Sequence, residues 1–321
     1  MKESSSAGTT PRSSAPGRRN ASEPARSGRR GTLIRRLVQV VLALAIAVGA
    51  VLAGSNILKA DGRPSVTTTY TMKVGGVSRS YETVAPVAPL PKSAPIIVVL
   101  AGINAPVPNE IVRDRMVPYV NADMTELVYP VGVQESWNAV GCCGYASAHH
   151  VDDIGFLKAL AARIDPGRTR PLDVVGYSNG GRMAYRMGCT NPGLFDEIAI
   201  VKADPLPGCV VEGRQSVLQI AALDDTAVPY QPGDKGKETP PATVQVARLR
   251  AAEGCGGNGA STRPGKTLLY TVWNDCTAGT HVGFAVYSSG GHDFPKPSST
   301  QPDAASVIWA FFNHQAVVTP S

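Results

Sequence analysis

The stretch VVGYSNGGRMAY, Val174 to Tyr185, decides the fold. Aliphatic residues lead into Gly176 and helix formers follow Gly181, so the segment reads as a β-strand running straight into an α-helix. Ser178 stands at the junction, flanked at two residues' distance by Gly176 and Gly180. A strand-to-helix turn this tight leaves no room for side chains at its flanks, and it can hold a hydroxyl in a strained, exposed position. Glycines alone would also serve a plain turn. The choice between the two therefore rests on what the rest of the chain supplies.

The neighbouring sequence extends the pattern. APIIVVLAGI, ELVYPVG, PLDVVGYS and SVLQIAAL are short apolar runs ending in Gly, Pro or polar residues, as expected of strands buried on both faces. Between and after them lie helix-like stretches: DDIGFLKALAARI with Asp152 or Asp153 as its cap, NGGRMAYRMGC, ATVQVARLRAAEG and DAASVIWAFFNHQ. TTTYTMKVGGVSRSYETVAPV predicts a hairpin about Gly75-Gly76, and TLLYTVW and HVGFAVYSS predict two later strands. Alternating strands and helices predict an α/β domain with a mostly parallel sheet and helices on both faces. PYQPGDKGKETPP is a loop within that domain, and no internal repeat is present.

A nucleophilic serine needs a base, an acid to orient the base, and N–H donors for an oxyanion. The chain has five histidines. His149 and His150 precede a helix cap, His281 adjoins a strand, and His314 falls in the last helix. His292 alone lies in a Gly-rich loop after a strand, in SSGGHDFP. LQIAALDDTAVPY offers Asp224 and Asp225 after an earlier strand, and adjacent side chains there point to opposite sides, so only one can face His292. Ser178, Asp225, His292 is the chain order of a hydrolase triad on such a sheet.

From about Val66 onward the chain resembles the polyhydroxybutyrate-depolymerase-like esterases, the group that also holds feruloyl and acetylxylan esterases. The resemblance rests on VGGVSRSY, VYPVGVQESWN, CCGYA with VDDIGFLKAL, GYSNGGRMAYRMGC, LDDTAVPY and GGHDFP. It implies an α/β-hydrolase fold and ester hydrolysis through Ser178, Asp225 and His292, with Asp225 chosen by its place four residues before the Pro-Tyr pair. It also implies an oxyanion hole from the backbone N–H groups of Ile103 and Asn179, and no cofactor or metal. Trp137 and Tyr177 are the candidate substrate contacts, with a packed loop aromatic the equal alternative for Trp137. The chain departs from the family at Ala101, where His is usual before Gly102, and the polymer-binding domain of members that degrade solid polyester is not expected in it. Small or oligomeric hydroxyalkanoate, aryl or acetyl-sugar esters are therefore the expected substrates. A cell-envelope acyltransferase with the same triad, a peptidase, and a binding protein of weak activity are the alternatives.

The 321-residue chain has a formal charge of +6. Up to Lys59 it holds ten Lys or Arg against two Asp or Glu, and from Ala60 onward twenty-one against twenty-three. The basic character thus belongs to the N-terminal tail, which excludes a nucleic-acid stripe on the folded part. Residues 1–36 are rich in Ser, Ala, Pro, Gly and Arg and predict a disordered cytoplasmic tail. Leu37 to Gly54 carries no charge, and Arg29, Arg30, Arg35 and Arg36 precede it. That pattern predicts a signal-anchor helix over 37–58 with the domain of residues 59–321 outside. Val51-Leu52-Ala53 offers the competing reading, a cleaved signal and a secreted enzyme.

Export makes the six cysteines disulfide candidates. Cys255 with Cys276 is the favoured pair, and Cys142 and Cys143 are expected to reach Cys189 and Cys209. His149, His150, Asp152 and Asp153 imitate a metal site but are better read as a helix start. Arg182 and Arg186, one turn apart, read as packing or ion-pair residues.

Overall fold

Residues 96–100, IIVVL, are all buried, and their side chains alternate between two cores. Ile96, Val98 and Leu100 face one, Ile97 and Val99 the other, as the two-residue period of a strand covered on both faces requires. This strand lies inside an eleven-stranded sheet in a computed structural model that describes residues 56–60, 63–122, 124–206, 208–211, 215–234 and 240–318.

The strands are β1 (Asn56–Ala60), β2 (Arg63–Val74), β3 (Val77–Pro86), β4 (Ile96–Leu100), β5 (Glu126–Pro130), β6 (Leu172–Tyr177), β7 (Glu197–Val201), β8 (Ser216–Ala222), β9 (Ala260–Thr262), β10 (Leu268–Trp273) and β11 (Val282–Tyr287). Their order is β1-β2-β3-β5-β4-β6-β7-β8-β11-β10-β9. The six from β5 to β11 in that order are mutually parallel, and antiparallel strands extend both edges. The hairpin expected about Gly75-Gly76 is β2-β3, with Val74 opposite Val77 and both glycines at positive φ.

The helices are α1 (Val107–Asp114), α2 (Val117–Asn121), α3 (Tyr145–Ala148), α4 (Asp153–Ile164), α5 (Asn179–Thr190), α6 (Ala242–Ala252) and α7 (Ala304–Phe312). Phe156 and Leu160 of α4, Met183 and Met187 of α5 and Leu249 of α6 pack in the first core. Val107 of α1, Val120 of α2 and Ile308 and Phe311 of α7 pack in the second. The sheet is therefore covered on both faces, as the sequence predicts. Asp152 is the cap of α4, accepting from the Gly155 N–H at 2.8 Å, while Asp153 is buried and pairs with Arg79 at 2.7 Å.

The expected tail, 1–36, lies outside the described residues, as does the expected membrane helix up to residue 55. Its last three residues differ from expectation: 56–58 belong to β1, whose backbone pairs with residues 63–67. Edge pairing there takes a short apolar stretch that hydropathy alone assigns to the preceding helix. Among the described residues no helix is long and apolar enough to cross a membrane.

Cys255 pairs with Cys276 as expected. The other expected pairings are corrected: Cys189 at the end of α5 bonds Cys209, with Cα atoms 5.7 Å apart, and Cys142 bonds its neighbour Cys143. Cys189 and Cys209 face each other across a span that suits a disulfide. That leaves the adjacent cysteines only one another.

Candidate active site

Ser178 follows β6 directly and caps the start of α5 with φ 52° and ψ −115°. A non-glycine residue in that region is strained, and the strain is held by close packing around it. A side chain at Gly176 would strike the Gly180 carbonyl, and one at Gly180 would strike the Leu100 and Ala101 carbonyls. The two glycines thus let α5 start against the ends of β6 and β4.

His292 comes to the serine from the loop after β11, and Asp225 from the loop after β8. Ser178 Oγ lies 2.9 Å from His292 Nε2, and His292 Nδ1 lies 3.1 Å from both Asp225 carboxylate oxygens. With Nδ1–H donating to Asp225, Nε2 is left to accept from the serine hydroxyl. Asp225 is buried, and its Oδ1 also accepts from the Ala227 and Val228 N–H groups at 2.8 and 3.0 Å. Burial alone would raise this carboxyl, but the His292 ring and the Val228 and Ala227 amides outweigh it and hold it below the ordinary carboxylate value. A firmly ionised acid and a histidine oriented by it are the arrangement that makes a serine hydroxyl nucleophilic.

Asn179 opens α5, so its N–H lies at a helix N-terminus beside Ser178. Gly102 lies against the nucleophile from the loop after β4, where an added side chain would come within 3.6 Å of Ser178 Cβ. Among the described residues, the N–H groups of Asn179 and of Ile103 next to Gly102 are not engaged by another protein group. Ala101 keeps this loop in place through its carbonyl, which accepts from the Trp137 indole at 3.0 Å. The Asn179 side chain accepts from the Trp137 N–H at 2.7 Å and donates to the Trp137 and Cys142 carbonyls at 3.2 Å.

Trp137 and Tyr177, the expected substrate contacts, are both buried and their polar atoms are committed inside the protein. The Tyr177 hydroxyl donates to the His292 carbonyl, and burial pushes its phenol up to about 12. Trp137 supports the loop that carries Ala101 to Ile103. These contacts make both residues supports of the site.

Three further residues hold the site, and the sequence reading gives two of them no part in it. Lys202 follows β7 in a positive-φ conformation and is 1 % exposed, with its ammonium donating to the Gly291 carbonyl at 2.7 Å. Burial pulls its pKa down to about 8 against the opposing carboxylates of Asp225, Asp224 and Asp293. Asp224 turns away from the ring and accepts from the Gly290 and Gly291 N–H groups at 3.1 and 2.8 Å. The loop carrying His292 is thus fixed by Asp224, Lys202 and Tyr177 at three successive residues, Gly290, Gly291 and His292. Glu110 of α1, wholly buried beside Gly102, is raised to about 7 by burial, with Arg113 at 3.0 Å opposing the shift. The only sequence sign of Lys202 is a lysine directly after the apolar run IAIV.

Arg182 pairs with Asp204 and Arg186 donates to the Asn138 carbonyl, so both are structural. His149 stacks on Tyr145 at the surface. Among the described residues, the one grouping of three donors of the kind that hold a metal lies elsewhere, at Glu197, His281 and His314.

A parallel sheet covered by helices, with a serine on the strand-to-helix turn and an acid and histidine on later strand ends, defines the α/β-hydrolase class. The comparisons agree on the fold. Acetyl xylan esterase from Aspergillus awamori aligns over 77 % of this chain and 99 % of its own with a TM-score of 0.54 at 12 % identity. A protein named sOPH aligns over 78 % of this chain and 88 % of its own with a TM-score of 0.50, also at 12 % identity. In sequence, NocK of Nocardia uniformis subsp. tsuyamanensis, which carries the name of an esterase, is 29 % identical over 77 % of this chain and 78 % of its own. No family model matches the chain. The likeness in both kinds of comparison is to esterases of the α/β-hydrolase fold.

Proposed function

We propose that the protein is a serine esterase acting on carboxylic esters through Ser178, His292 and Asp225. The observation that carries this reading is the continuous relay of contacts from Ser178 Oγ through the His292 ring to Asp225, at 2.9 and 3.1 Å. His292 takes the Ser178 proton as Oγ attacks the ester carbonyl, and Asp225 holds the imidazole in the required tautomer and stabilises its charged form. The N–H groups of Asn179 and Ile103 receive the oxyanion. The tetrahedral intermediate collapses as His292 returns the proton to the leaving alcohol. Water, activated by the same histidine, then releases the acid from the acyl-enzyme. NocK's name and the Aspergillus awamori enzyme favour an ester as the substrate, and small or oligomeric hydroxyalkanoate, aryl and acetyl-sugar esters are the candidates.

The reading also places the domain outside the cytoplasm, anchored by the apolar run from Leu37 to Gly54. Three disulfides in a chain of this size favour an oxidising compartment. The test is labelling by a fluorophosphonate probe together with a panel of p-nitrophenyl, feruloyl, acetyl-sugar and hydroxybutyrate-oligomer esters. Wild type labels and turns over at least one ester class, and Ser178→Ala does neither while keeping its fold. Labelling that persists in Ser178→Ala refutes the assignment.

A further inference from the structure

At the end of the sheet opposite Ser178, three side chains from separate elements converge. Glu197 opens β7, His281 directly precedes β11, and His314 lies just beyond α7. Glu197 Oε1 is 3.5 Å from His314 Nε2, and Glu197 Oε2 is 3.7 Å from His281 Nε2. One donor atom from each residue lies within 4.8 Å of the other two. These spacings are too long for hydrogen bonds. Glu197 Oε2 and His281 Nε2 are nevertheless buried with no hydrogen-bond partner. Two strong polar groups left unsatisfied side by side in a protein interior call for a missing partner.

The surroundings suit a metal ion. His281 is 5 % exposed, and its other ring nitrogen, Nδ1, lies 2.8 Å from Ser216 Oγ at the start of β8. Ser216 Oγ also accepts from the His281 backbone N–H at 3.3 Å, and in the tautomer whose Nδ1–H donates to it the Nε2 lone pair is free for a ligand. The Phe311 carbonyl lies beside the ring and accepts from the His314 N–H at 3.1 Å, which places His314 next to His281. A cavity of about 590 Å³, lined in part by Tyr270, Thr280, His281, Phe311 and His314, opens onto the cluster and gives an ion both an entry path and room for water.

We propose that Glu197, His281 and His314 form a binding site for a divalent first-row transition ion, zinc above all, with a water in the position facing the cavity. Two imidazole nitrogens and one carboxylate are the donor set such ions select, whereas calcium and magnesium require a shell of oxygens. Zinc holds nitrogen and oxygen donors at about 2.0–2.2 Å, so tetrahedral donors stand roughly 3.4 Å apart. Each imidazole nitrogen is already near that distance from one oxygen of the Glu197 carboxylate, His314 from Oε1 and His281 from Oε2, and a small turn of the carboxylate brings a single oxygen to both. Ser216 supplies the outer hydrogen bond that typically orients a ligating imidazole. The bound ion ties the segment after α7 to the starts of β7 and β11, at the far end of the strands that carry the candidate active site. Its role is that of a clasp on the C-terminal segment, stabilising the folded chain by binding it in preference to the unfolded one.

The test uses the full chain, purified without a histidine tag, stripped with a chelator and dialysed. Zn²⁺ is titrated by calorimetry and Co²⁺ by visible absorption, and melting is followed with and without Zn²⁺. Wild type is expected to bind one equivalent with a Kd below about 10 μM, to give the d–d bands of four-coordinate Co²⁺, and to melt several degrees higher with saturating Zn²⁺. His314→Ala, at a side chain 65 % exposed, and Glu197→Gln, a change of one atom, should each weaken binding about 100-fold and abolish the rise in melting temperature. Ser178→Ala should bind as wild type does, which separates this site from the proposed esterase. Binding only above about 100 μM, no binding, or one-equivalent binding unchanged in both variants overturns the proposal. If one variant fails to fold, the other decides.

Discussion

Replacing Asp225 with Asn isolates the electrostatic part of the site, because the structure dictates how the amide must sit. Asp225 Oδ1 accepts two backbone N–H groups, from Ala227 at 2.8 Å and Val228 at 3.0 Å. The new side-chain oxygen must therefore stay in that place, and the new NH₂ faces His292 Nδ1 at about the 3.1 Å of the present contact. An NH₂ donor there favours Nδ1 as its acceptor, against an oxygen also 3.1 Å away that two backbone N–H groups already occupy, and so shifts the ring proton toward Nε2. Nε2–H can no longer take the Ser178 proton. The shape of the site survives while its base is lost, and the matching change in serine proteases costs about 10⁴ in turnover, or roughly 5 kcal/mol. Asp224→Asn is the control on the adjacent residue. It leaves one of the Gly290 and Gly291 N–H groups without its acceptor at an exposed position. A loss of about 1 kcal/mol, within tenfold in rate, is expected. The assay is kcat/KM on one activated ester for both variants, with circular dichroism to establish folding. If Asp225→Asn keeps a tenth of wild-type activity, or if Asp224→Asn is the more damaged, the tautomer argument is wrong.

Lys202→Met should raise the melting temperature at pH 7 while lowering turnover, since it removes a buried ammonium but also the donor to Gly291. Because burial lowers the Lys202 pKa to about 8, the unfolded chain holds the extra proton between pH 8 and the ordinary lysine value, and wild-type stability rises with pH there. The stability gap between Lys202→Met and wild type should accordingly shrink from pH 8 to pH 10, and a gap that widens contradicts the burial argument. Tyr177→Phe removes the donor to the His292 carbonyl and should cut kcat about tenfold with KM little changed, measured by steady-state kinetics. Replacing both Cys255 and Cys276 with Ser opens a loop of sequence separation 21 and should cost about 3 kcal/mol, a fall of roughly 6–12 °C in melting temperature followed by calorimetry. Protease added to intact cells should digest the domain and spare the first thirty residues; a mature N-terminus at Gly54 would instead establish a cleaved signal.

The parts of the fold that were legible in the sequence are those whose burial leaves a pattern. IIVVL and LDVVGY are buried along their whole length and read as interior strands, and Gly75-Gly76 between alternating runs marked the hairpin. β7 was missed because Glu197 starts it and no glycine or proline bounds it closely, and β9 because three exposed residues carry no periodicity. α1 and α2 begin with Val-Pro, which resembles a loop, although proline is well suited to the first turn of a helix. In the site, Ser178, Asp225 and His292 were legible because each follows a strand in a fixed chain order. Lys202, which follows the one central strand that was missed, was not. The support by Trp137 and Tyr177 depends on which way each ring packs, and composition holds no record of that.

Ser178, Lys202, Asp225 and His292 follow β6, β7, β8 and β11, which are four consecutive neighbours in the sheet. Each strand therefore delivers one side chain to the candidate site, and the 2.9 and 3.1 Å contacts depend on how each strand end lies against the next. A parallel strand can shift only in steps of about 3.3 Å per residue, larger than any of those contacts. Turnover should then behave as an all-or-none gauge of sheet alignment: it disappears in step with cooperative unfolding, with no partly active, partly melted species between.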